Sequence, residues 1–227
     1  MNKLDSMVVT LLLAGWAPVL AGQDGPAPLS QKGDHQHVEL VMERLEGGRW
    51  KALNPTTVLD RGDSVRFRLQ ASFPGYLYAY SISSKGEGEW LYPAPNSPAA
   101  NRIREEVPYV IPSTTQSYTV EGDPGFDLIY WLISPKPISG ERWVPSSDGP
   151  PVPKTIVPRC REDIDTAIAC LDPRAGARQL PPAQTGWSGT GDLRPRELRL
   201  SPAHESTRIE ATRGPGLFVY QFWIAHR

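Results

Sequence analysis

The chain has 227 residues, 39% of them hydrophobic, and a formal net charge of −1. That length fits one domain of sandwich size with an appendage, and the apolar content supplies one core rather than two large independent ones. The balanced charge leaves no electrostatic footprint for DNA or RNA, so no nucleic-acid partner is expected, and the 24 prolines and 20 glycines predict many turns and long connections.

The first residues read as an export signal. Lys3 precedes an apolar run from Met7 to Leu20, and Val19 and Ala21 place compact residues before a cut after Ala21. The run falls short of the roughly 20 residues that cross a bilayer, and Pro18 interrupts it. A single-span anchor is the competing reading. We expect a signal peptide over 1–21, a flexible leader over 22–34, and one domain over 35–227 with no membrane anchor after cleavage. The mature protein is then extracytoplasmic, either periplasmic or secreted.

His37 to Leu45 alternates as a strand, and Gly47-Gly48 predicts a hairpin into Arg49–Leu53. After the turn Asp60–Asp63, Val65, Phe67, Leu69 and Ala71 alternate with Arg66, Arg68 and Gln70. One apolar face and one cationic, solvated face are predicted there. Gly75–Tyr80 is an aromatic strand, with Tyr76, Tyr78 and Tyr80 on one side and Leu77 and Ala79 on the other. A charged turn, Ser84–Gly88, returns it to Trp90–Tyr92. Pro93–Ile111 reads as a long irregular connection.

Ser117–Val120 and Phe126–Ile133 are expected to pair around Gly122–Gly125. Phe126–Ile133 is apolar on both faces, which predicts a central strand covered on both sides. Residues 135–195 form a Pro- and Gly-rich excursion with a helix predicted near Asp163–Leu171, where Ile164, Ala167, Ile168 and Leu171 recur at helical spacing. Arg208–Thr212 and Leu217–Ala225 are expected to close the chain as a hairpin. These elements predict an all-β, antiparallel β-sandwich, immunoglobulin-like in general architecture, with one short helix in the excursion.

Several of these segments carry a resemblance. Gly62-Asp63-Ser64-Val65-Arg66-Phe67, Gly75-Tyr76-Leu77-Tyr78-Ala79-Tyr80 and Leu91-Tyr92-Pro93 follow one another at family spacing. Asn101-Arg102-Ile103, Ile111-Pro112 and Gly125 before Leu132-Ile133-Ser134 complete the series. From about Val58 to Ser134 the chain resembles the bacterial family called domain of unknown function 4384. The resemblance implies an exported β-domain module, found alone or beside catalytic domains such as caspase-like peptidases and protein kinases. It implies no catalytic residues.

Cys160 and Cys170 are the only cysteines, and an even count in an exported protein favours a disulfide. An unbroken helix would hold them about 15 Å apart, whereas a bridge needs less than about 7 Å. Either the chain doubles back between them or they are buried separately. His35 and His37 share a side of an extended segment, but no third ligand has defensible spacing, so no metal is expected. No nucleophile elbow, zinc-hydrolase motif or phosphate loop occurs, and no cofactor is implied.

Most of the seven tryptophans and eight tyrosines are expected to fill the core and line the edges. Trp143, Trp187 and Tyr109 are the candidate binding aromatics, because loops carry function more often than central strands. The expected function is a non-catalytic interaction or scaffolding module of the bacterial cell envelope, with an envelope protein or glycan as partner. An unpaired sheet edge would accept the partner. A carbohydrate- or cell-wall-binding domain is the alternative, and an uncharacterised hydrolase a remoter one.

Overall fold

A computed structural model describes residues 35–93, 101–138, 153, 155–160, 170–180 and 192–227. The expected signal peptide, the leader and nearly all of the predicted helix lie outside these residues. Cys170 and Leu171, at the end of that helix, form a strand instead. No helix among the described residues is long and apolar enough to cross a membrane.

Two seven-stranded sheets pack face to face. The first is built on β1 (His35–Glu46), which pairs antiparallel with β4 (Ser64–Ala71), β15 (Thr207–Thr212) and β2 (Arg49–Ala52). β14 (Arg199–Pro202) borders β15, while β8 (Tyr109–Ile111) and β9 (Tyr118–Thr119) border β4. The second sheet is built on β10 (Gly125–Ser134), between β5 (Gly75–Ile82) and β16 (Phe218–His226). β6 (Gly88–Tyr92) and β7 (Arg102–Ile103) border β5, and β13 (Gly176–Arg178) borders β16.

One pairing departs from the antiparallel expectation. β3 (Val58–Leu59) lies parallel to the end of β16, so the second sheet is mixed. Two local expectations also give way. The predicted partners β9 and β10 sit in opposite sheets, as do β15 and β16, so neither pair is a hairpin. A Gly/Pro turn reverses the chain in either case; the apolar faces decide whether the next strand returns to the same sheet or crosses to the other.

Between the sheets, Val65, Phe67 and Leu69 meet Trp131, Phe222 and Leu77. The Phe67 ring stands edge-on to Trp131 and Phe222, at centroid distances of 5.2 and 6.0 Å. Such edge-to-face contacts add to the area these rings bury. The predicted division of β5 holds, since Leu77 and Ala79 enter this core. Tyr78 and Tyr80 face a second apolar cluster on the other side of the sheet, with Leu128, Tyr130, Leu132, Val219 and Trp223. The excursion covers that cluster through Ile138, Ile156, Cys170, Ala175 and Leu180. β10 is therefore central and buried on both sides, as its sequence predicts.

The excursion carries an internal covalent cross-link. β11 (Arg159–Cys160) and β12 (Cys170–Leu171) pair antiparallel, with Cys160 opposite Cys170 and a disulfide between them. Their Cα atoms are 4.0 Å apart, so the chain does double back.

Candidate functional site

At the Gly47-Gly48 turn both glycines have positive φ, 56° and 77°. That is the backbone of a two-residue hairpin turn that L-residues other than Asn or Asp rarely adopt. It sets the register of β1 and β2, with Glu46 opposite Arg49 and Leu45 opposite Trp50. β2 pairs with β1 alone, so its other edge is open among the described residues.

The outward face of this hairpin and of β4 holds an ordered charge cluster. Glu43 is buried, and Arg66 Nε donates to its Oε2 at 2.7 Å while Arg68 Nε donates to Oε1 at 3.3 Å. The Arg66 guanidinium also lies over the Trp50 ring, 4.2 Å from its centroid. A planar cation fits this position because it can stack on the indole and fork towards a carboxylate at once. Leu45, opposite Trp50, is 42% exposed.

Alternation predicts a solvated Arg66, but Glu43 and Trp50 half-bury it, while Arg68 is exposed. Neither Glu43 nor Trp50 stood out in the sequence. The available signal was parity, because pairing β1 with β4 sets Glu43 directly opposite Arg66.

On the other face of the hairpin Glu46 meets Lys51 at 2.8 Å and also Arg44, and these two cations hold its carboxyl below the usual range. Arg44 reaches Asp63 at 3.2 Å. Arg49 and Lys51 are exposed.

Of the binding aromatics inferred from sequence, Tyr109 falls among the described residues. Trp143 and Trp187 lie outside the described residues. Tyr109 is not a loop residue; it sits in β8, opposite Leu69, and packs half-buried against the inter-sheet core. Its hydroxyl accepts the Arg104 amide proton at 2.8 Å. Every described Trp and Tyr is buried or half-buried.

Clefts open at the margins of the described residues. One of about 590 Å³ is bordered by Arg61, Ser83, Lys85, Glu121 and Asp127. Near it the buried His226 Nε2 lies 3.5 Å from Asp127 Oδ1, which accepts the Ser84 amide proton at 3.0 Å. Another, of about 580 Å³, lies beside His35, Glu197 and Glu210. Arg208 holds the Glu210 carboxyl below its usual range. Among the described residues no three His, Cys, Asp or Glu side chains converge on a metal-sized site, His35 and His37 included.

Compared with known proteins, residues 58–137 match the family described as "Domain of unknown function (DUF4384)". The match takes in β3 through β10, including Arg66 and Arg68, and leaves the β1–β2 hairpin outside. No curated protein and no solved structure matches the chain.

Proposed function

For a chain whose residues 58–137 match a family of unknown function, we propose a non-catalytic protein-interaction or scaffolding module of the bacterial cell envelope. The observation that carries this reading is the open edge of β2, set beside an ordered cluster of arginines and an exposed leucine. An unpaired strand can take up an extended partner through backbone hydrogen bonds, and flanking side chains then select it. The same reading takes the architecture as immunoglobulin-like in general outline. It also takes the apolar N-terminal run as a cleaved export signal, which suits a chain held by a Cys160–Cys170 bridge.

A pull-down from envelope extracts with the purified protein tests the reading. Reproducible capture of one or a few envelope proteins is expected, with no turnover of peptide, ester or glycoside substrates. A preparation that captures nothing above a bead control, or that hydrolyses such substrates reproducibly, overturns it.

A further inference from the structure

We propose that the free edge of β2 is a docking site for an extended, carboxylate-rich peptide segment, which joins the sheet as an added strand. The site rests on the interaction reading above and gives its partner a chemistry.

Backbone geometry supplies the first part. In a hairpin closed by a two-residue turn, hydrogen-bonded and non-hydrogen-bonded pairs alternate away from the turn. Glu46 and Arg49 form the first bonded pair, Arg44 and Lys51 the next, and Leu53 N donates to Met42 O at 2.9 Å in the one after. Trp50 and Ala52 therefore turn their N–H and C=O groups away from β1. These groups have no partner among the described residues. They are spaced to exchange bonds with one added strand.

Side chains supply the second part. An added strand would point alternate residues to the two faces of the sheet. On one face they meet Arg49 and Lys51, both exposed. On the other they meet Trp50, the exposed Leu45 and the Arg66 guanidinium above the indole. Arg66 commits its Nε to Glu43, which leaves its Nη donors for a further carboxylate. Glu43 and Glu46 are already engaged with cations, so the charge left over at this edge is positive.

Short, cation-bearing edges also guard against self-association. Here the two roles coincide: antiparallel pairing with a second copy would bring Arg49 and Lys51 of both copies together, whereas an acidic strand would neutralise them.

The test uses the full chain and a short labelled peptide alternating Glu with Val, followed by fluorescence anisotropy. Saturable binding is expected, weakened by salt and absent for the Lys/Val counterpart. Ala52→Pro removes an outward donor without touching a native hydrogen bond, and should weaken binding about fivefold. Arg49→Glu with Lys51→Glu should weaken it further. In the unaltered protein, amide chemical shifts of Trp50 and Ala52 should move on titration, a readout that does not depend on any variant folding.

No binding of the Glu/Val peptide, equal binding of the Lys/Val peptide, or shifts confined to other strands overturns the proposal. So does an Ala52→Pro protein of native melting temperature that binds as before. A dimer abolished by Ala52→Pro would give the edge to a second copy and also overturn it. If envelope partners are captured equally by the unaltered, Ala52→Pro and Arg49→Glu/Lys51→Glu proteins, the interaction reading stands and this edge does not. If no partner is captured by any of them, the interaction reading itself fails.

Discussion

The Ile138 amide donates to the Tyr78 hydroxyl at 2.7 Å, and that hydroxyl lies 3.3 Å from the Ile138 carbonyl oxygen. Sixty residues separate the two in sequence. One tyrosine on the outer face of β5 thus fixes the point at which the chain leaves β10 and turns over the second apolar cluster. Tyr78→Phe would keep the ring and strand the buried amide. We expect a loss of about 1–3 kcal/mol, read by chemical denaturation, with faster hydrogen exchange at Ile138. A loss indistinguishable from zero would mean that water serves that amide equally well.

Gly75 opens β5 because nothing larger fits. A Cβ there would lie 2.6 Å from Ile133 Cγ2 and 3.0 Å from the Ser134 carbonyl oxygen. The glycine of the Gly-Tyr-Leu-Tyr segment is a packing requirement of the β5–β10 pair. Gly75→Ala should destabilise the protein by about 1–3 kcal/mol through this overpacking. Thermal unfolding measures it, and an unchanged midpoint would show that β10 yields without penalty.

The Cys160–Cys170 bridge closes a short loop, with a sequence separation of 10. Replacing both cysteines with alanine should cost about 3 kcal/mol, mostly by freeing the unfolded chain. The loss should fall first on the excursion. Limited proteolysis would then cut between residues 155 and 180 while the paired sheets stay intact; cleavage appearing first within β4 or β10 would contradict that order.

Asp172 gives the fold a specific acid sensitivity. Burial by itself raises its carboxyl, but hydrogen bonds from the Arg174 side chain and the Val157 and Arg174 amides outweigh it, bringing the value from 3.8 to about 2. A carboxyl lowered on folding stabilises the protein fully above its unfolded value, and that stability is lost as pH falls through the folded one. Between pH of about 4 and about 2 the protein should lose roughly 2 kcal/mol from this group. Asp172→Asn should be destabilised at neutral pH and show a shallower decline over that window. Parallel stability–pH curves for the two proteins would rule this out.

Local pattern fixed much of the scaffold. The alternation of Val65, Phe67 and Leu69 identified the buried side of β4, because a pleated strand has a period of two whatever its neighbours are. The two-faced apolarity of Phe126–Ile133 identified a covered central strand, and Gly47-Gly48 identified a hairpin whose turn needs positive φ. Each is a property of a few consecutive residues.

Tertiary structure alone decided which strand lies beside which. Tyr118–Thr119 and Phe126–Ile133 look like hairpin partners, as do Arg208–Thr212 and Leu217–Ala225, yet each pair is divided between the sheets. Alternation tells a residue which side is apolar, not which neighbour will cover it; that follows from closing both sheets around Phe67, Trp131 and Phe222. The same long-range closure set Glu43 against Arg66 and stacked Arg66 on Trp50, so an arginine that alternation marks only as cationic becomes part of an ordered border with two residues the sequence leaves unmarked.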